Sequence, residues 1–144
     1  MHLALAESIH LFETGLARCH SPEDRALVHK YLAALAPILA DAVRGQDVLH
    51  RLPPVDRLFG NTWLHDHAPF EGALEKWREF RAEYKTWSLG SMTVNERLVA
   101  LGLMDDFDRA VAAKSVDRIV AILSEAELDQ ESIREIARRH VPVA

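Results

Sequence analysis

A chain of 144 residues, 49% of them apolar and 27% charged, has the composition of a globular domain that buries roughly two-thirds of its unfolded surface. This excludes intrinsic disorder and any need for a covalent staple. Its one cysteine, Cys19, excludes an internal disulfide and points to a reducing, cytoplasmic setting. The net charge of −5 falls within residues 105–135, where nine acids face four bases, while acids and bases balance elsewhere. Such a surface repels phosphates, so nucleic acid is excluded as a partner and a basic protein is favoured.

The opening Met1-His2-Leu3-Ala4-Leu5-Ala6-Glu7 has no basic segment and meets a carboxylate early, unlike an export signal. The longest runs free of Asp, Glu, Lys and Arg, residues 31–40 and 86–95, are ten residues each. A bilayer span needs about twenty, so no membrane segment is expected.

In chain order, Leu5, Ile9, Phe12 and Leu16 recur at helical spacing and predict a first helix over 3–18. Ser21-Pro22-Glu23-Asp24 reads as an N-cap, a proline in the first turn and two acids where the helix dipole favours them. The helix that follows should turn Leu27, Val28, Tyr31, Leu32, Leu35, Ile38, Leu39 and Val43 inward, kink at Pro37 and end at Gly45. Asp47 suits the cap of a turn through Leu49, and Pro53-Pro54 open a short helix through Phe59 that Gly60 closes. A long helix over 67–88 is predicted from the stripe Phe70, Leu74, Trp77, Phe80, Tyr84 and Trp87.

Thr93-Val94-Asn95-Glu96 forms a capping box, and Gly102, Ser115 and Asp129 punctuate three further short helices. No stretch alternates apolar and polar residues as a half-buried strand does. The expectation is an all-α, single-domain irregular helical bundle of about six to seven helices over 1–144, with little or no β. Residues 93–144 would form a sub-bundle of short helices.

His65-Asp66-His67 is the sole local cluster of metal-ligand types, and two ligands still require a third. A His-Asp dyad in an all-α chain resembles the metal-dependent HD-type phosphohydrolases, which would bring His29 or His50 and Asp105 or Asp117 in as outer ligands. That family holds its dyad inside an apolar helix, whereas this one lies between the Gly60 turn and Pro69. Asp66 therefore reads better as a cap accepting from the Ala68 N–H, and no metal is assigned. Trp63, Trp77 and Trp87 with Phe70, Phe80 and Tyr84 suggest a stacking platform, but at helical spacing such rings belong to a core.

No serine elbow, cysteine–histidine dyad or glycine-rich phosphate loop is present, so neither a catalytic residue nor a cofactor is expected. The acidic tract is the remaining candidate, with Asp105, Asp106, Asp108, Glu125, Glu127, Asp129 and Glu131 as the contacts of a basic partner.

The stretch Met92-Thr93-Val94-Asn95-Glu96-Arg97-Leu98, continued by Leu101-Gly102-Leu103-Met104-Asp105-Asp106-Phe107-Asp108-Arg109-Ala110-Val111, resembles a helical module of small uncharacterised bacterial proteins. Gly60-Asn61-Thr62-Trp63-Leu64 and Pro69-Phe70 look like companions of that module. In size, acidity and lack of catalytic residues the chain is similar to bacterial immunity proteins that neutralise contact-dependent toxins. That resemblance implies a non-enzymatic, antitoxin-like protein that occludes a basic toxin stoichiometrically. The alternatives are a small metal-dependent hydrolase using His65, Asp66 and His67, and a helical adaptor or homo-oligomerisation module.

Overall fold

The structure, a computed structural model, describes residues 2–142. Among them the chain is all helical, with eight α-helices, two single 3-10 turns and no strand. It divides into two compact units, Met1–Lys85 and Thr86–Ala144.

In the first unit α1 (His2–Leu16) packs on α2 (Pro22–Val43) and on the 3-10 turn Ala68–Phe70. The buried face of α1 is Ala4, Leu5, Ser8, Phe12 and Gly15. Ile9 and Leu16, expected on that face, are only half-buried. Small residues decide the rotation, because they allow close approach. Ser8 Oγ donates to the Ala73 carbonyl at 2.7 Å, and a Cβ on Gly15 would collide with the Pro69 carbonyl and the Phe70 ring.

The start of α2 is as the sequence predicts: Ser21 caps it by accepting from the Asp24 N–H at 3.2 Å, and Pro22 opens the first turn. It runs through Pro37 as one helix, the proline standing on the solvent face, and buries Val28, Tyr31, Leu35, Ile38 and Ala42. Val43 was expected inward but is 65% exposed, its inward place taken by Ala42. By length and composition α2 is apolar enough to cross a membrane, a property hidden from a count of charge-free runs because Lys30 and Asp41 interrupt it.

The 3-10 turn Leu49–Arg51, with Asp47 accepting from the Leu49 N–H at 3.0 Å, leads into α3 (Leu52–Asn61). The helix predicted over 67–88 is two elements. Ala68–Phe70 is a 3-10 turn, Gly72 takes a left-handed φ of 83°, and α4 begins afresh (Ala73–Gly90). That φ disfavours any residue with a Cβ, so the chain breaks at the glycine. Phe70 still enters the core, from the turn rather than from the α4 stripe. A spine of rings results: Phe12, Tyr31 and Phe59 meet with centroids 4.7–6.1 Å apart, and Trp77, Phe80 and Tyr84 continue from Phe59 at 5.6–6.0 Å.

The second unit takes the last residues of α4, then α5 (Val94–Ala100), α6 (Met104–Ala112), α7 (Val116–Glu125) and α8 (Gln130–His140). Its core is Leu98, Leu103, Phe107, Ala110, Ile119, Ile122, Leu123, Ala126, Ile133 and Ala137. Thr93 accepts from the Glu96 N–H at 3.3 Å, the forward half of the capping box. The return bond from Glu96 is not made among the described residues. Gly102 carries a left-handed φ of 69° between α5 and α6. Asp129 caps α8 through the Ser132 N–H at 2.8 Å, whereas Ser115 occupies the N-cap of α7 without a side-chain hydrogen bond.

Candidate functional site

The sequence-predicted partner residues lie in the second unit. Asp105 and Asp106 stand in the first turn of α6, Asp108 follows, and Glu125, Glu127, Asp129 and Glu131 run from the end of α7 across the turn into α8. All are exposed except Asp106, which is half-buried and paired with Arg109 at 2.9 Å. Two have structural duties. Glu127 holds a left-handed φ of 59° and accepts from the Thr86 hydroxyl at 3.3 Å. The two hydrogen bonds Asp129 receives from the Ser132 backbone and hydroxyl hold its carboxyl below the usual range. Asp105, Asp108, Glu125 and Glu131 have no cation within ion-pair distance among the described residues.

Basic side chains border this tract. Arg97 donates to the carbonyls of Ala126 and Glu127 at 3.1 and 3.0 Å, tying α5 to the end of α7. α8 ends in Arg138, Arg139 and His140, and the His140 ring meets Phe107 of α6 edge-on at 5.5 Å.

His65, Asp66 and His67 are all exposed, and no group of three metal-ligating side chains converges among the described residues. What the segment does is structural. The carboxylate of Asp24, 1% exposed, accepts from the backbone N–H of His65 at 2.9 Å and of Asp66 at 3.0 Å. Burial acts to raise its pKa, but the two N–H donors, helped by the nearby His65 and His67 imidazoles, hold it below 3.8. Asp66 in turn accepts from the Ala68 N–H at 3.1 Å, the bond its spacing predicts, but it precedes a 3-10 turn whose N-cap is His67 and does not cap the long helix, which starts at Ala73.

This pinned loop forms one wall of a cavity of about 350 Å³ that sequence reasoning missed, lined by residues of the first unit alone. Phe12, Tyr31, Phe59 and Phe70 supply its aromatic interior, and Trp63, His67, Glu71 and Glu75 its polar and outer parts. Thr62 Oγ1 donates to the Leu58 carbonyl at 2.5 Å, which leaves the Tyr31 hydroxyl as the donor in their 2.8 Å contact. Burial raises the Tyr31 phenol, with the Thr62 bond opposing and the Asp24 charge adding, so it stays protonated at neutral pH.

Two tryptophans expected in the core are not there: Trp63 is 72% and Trp87 64% exposed, and only Trp77 is buried. Trp63 follows the end of α3, where no helical register governs it. The sequence signal that points to the cavity is the short interval Thr62 to Phe70, in which rings, proline and histidines crowd a segment lacking helical periodicity. Set against known proteins, the chain matches no family model, no curated protein and no solved structure.

Proposed function

We propose that this protein acts by binding rather than by catalysis, taking a basic protein partner onto the carboxylates of its second unit. The observation that carries this reading is that six of the seven tract carboxylates are exposed and none of these six forms an ion pair with a cation of the chain among the described residues. Unneutralised carboxylates accelerate encounter with a positive surface and fix its register, while affinity comes from apolar contacts at the centre. An immunity or antitoxin-like role, neutralising a basic toxin stoichiometrically, agrees with the chain's size, its acidity and its resemblance to that class.

Proteins captured by the immobilised chain are compared with those captured by the D105A/D106A/D108A variant and by an E13Q/E23Q control. The reading predicts a basic partner, bound one to one, that the triple variant holds at least about ten-fold more weakly. Its dissociation should be hastened by salt. Capture of that partner with equal affinity by the triple variant refutes the proposal, as does the absence of any stoichiometric basic partner.

A further inference from the structure

We propose that the aromatic cavity of the first unit binds a small organic cation, an ammonium group carried on an aromatic body. The site is built from residues of the first unit alone, and neither this reading nor that of the carboxylate tract depends on the other.

Size and lining come first. A volume of about 350 Å³ lies at the lower end of ligand pockets, suiting a molecule of roughly nine to fifteen non-hydrogen atoms. Phe12, Tyr31, Phe59 and Phe70 line its interior, an aromatic surface that accepts an aromatic body by stacking or edge contacts.

Charge selects the rest of the ligand. Glu71 and Glu75 line the cavity, are exposed, and pair with no cation among the described residues. Two of the cations nearby are already engaged, and Arg78, three residues after Glu75 on α4, makes no ion pair with it among the described residues. Lys76 binds Glu7 at 2.9 Å and Glu79 at 3.2 Å, and Arg18 donates to the Pro69 carbonyl at 2.9 Å. Against two carboxylates the lining offers one imidazole, His67, and neither lysine nor arginine. The Tyr31 hydroxyl spends its proton on Thr62 and presents lone pairs. A ligand bearing a carboxylate or phosphate therefore meets repulsion, whereas an ammonium meets two counter-charges and the negative ring faces of Trp63 and its neighbours.

The cavity is also formed in advance. Asp24 fixes the backbone at 65 and 66, Tyr31 and Thr62 tie α2 to the end of α3, and the Gly15 contact seats Phe70 against α1. Trp63 lines the cavity while remaining 72% exposed, which leaves its ring open to a ligand entering from solvent.

The full-length chain is titrated with phenethylammonium, with 2-phenylethanol as its uncharged analogue and with phenylacetate as its anionic one, followed by calorimetry and by NMR shifts of Trp63 and Thr62. Phenethylammonium should bind at 1:1 and be preferred over the alcohol by about ten-fold or more, with phenylacetate weaker still. E71Q/E75Q should reduce that preference to near unity, and W63A should weaken the ammonium ligand by about five-fold or more. Both variants change exposed side chains and leave the helical circular dichroism intact. No saturable binding of phenethylammonium overturns the proposal, and so does equal binding of all three probes or a preference that survives E71Q/E75Q. Tighter binding of N-acetyl-lysine amide than of phenethylammonium also overturns it, by assigning the cavity to a side chain of a protein partner.

Discussion

Replacing Asp24 with asparagine tests the link between a buried carboxylate and the loop that walls the cavity. Both carboxylate oxygens are occupied, one by the His65 N–H at 2.9 Å and the other by the Asp66 N–H at 3.0 Å. Asparagine keeps the shape but offers one oxygen, so its NH2 faces one of those donors. The loss of a charge-assisted hydrogen bond costs about 1.5–3 kcal/mol. The lost negative charge in the first turn of α2 adds about 0.3–1 kcal/mol. Because His65 and Asp66 are themselves exposed, nearby water trims the upper end, and D24N should destabilise by about 2–3 kcal/mol at pH 7.

The pH dependence has a definite sign. A folded-state pKa held below 3.8 means that the stabilisation is fully present above 3.8 and is lost as pH falls from there through the lower folded value. The gap between wild type and D24N should therefore close in acid. Urea unfolding followed by circular dichroism from pH 7 to pH 2.5 measures it, and amide exchange at His65 and Asp66 reports the loop directly. A D24N change below about 0.5 kcal/mol at pH 7, or a gap that persists undiminished at pH 2.5, refutes the reasoning.

Gly15→Ala should destabilise by about 1–3 kcal/mol in urea unfolding, because collision with the Pro69 carbonyl outweighs a helix-propensity gain of about 1 kcal/mol; a stabilised variant would show that α1 shifts freely. Tyr84→Phe removes the acceptor of the Val48 N–H and the donor to Asp47, at 3.0 and 3.1 Å, and should cost about 1–3 kcal/mol by the same measurement. Phe80→Ala, emptying a fully buried ring site, should cost about 3–5 kcal/mol. Thr93→Ala should cost about 1 kcal/mol and raise amide exchange at Glu96, where the cap bond is lost.

Much local chemistry decided within three or four residues was legible in the sequence, though Ser115 makes no cap bond and Glu96 makes no return bond among the described residues. Ser21, Asp66, Thr93 and Asp129 each accept a backbone N–H two or three residues on, as their positions predict. The absence of strand periodicity likewise yielded the all-α class, and the spacing of Trp77, Phe80 and Tyr84 yielded their burial. These signals require only the geometry of one helix and its ends.

What tertiary structure alone decided involves partners distant in the chain. Sequence reading treats Asp24 as one of two acids in a first turn, yet its neighbours are 41 and 42 residues away at 65 and 66 and make it the buried anchor of a loop. The inward face of α1 turned toward Ser8 and Gly15 because close approach of Ala73 and Phe70 rewards small side chains over large apolar ones. Trp63 stands in the open because no periodicity governs a segment after a helix end, and the cavity beside it exists only where α1, α2, α3 and the turn at Ala68–Phe70 meet. Helical spacing specifies which residues share a face, but not which faces meet, and a binding site is a property of the meeting.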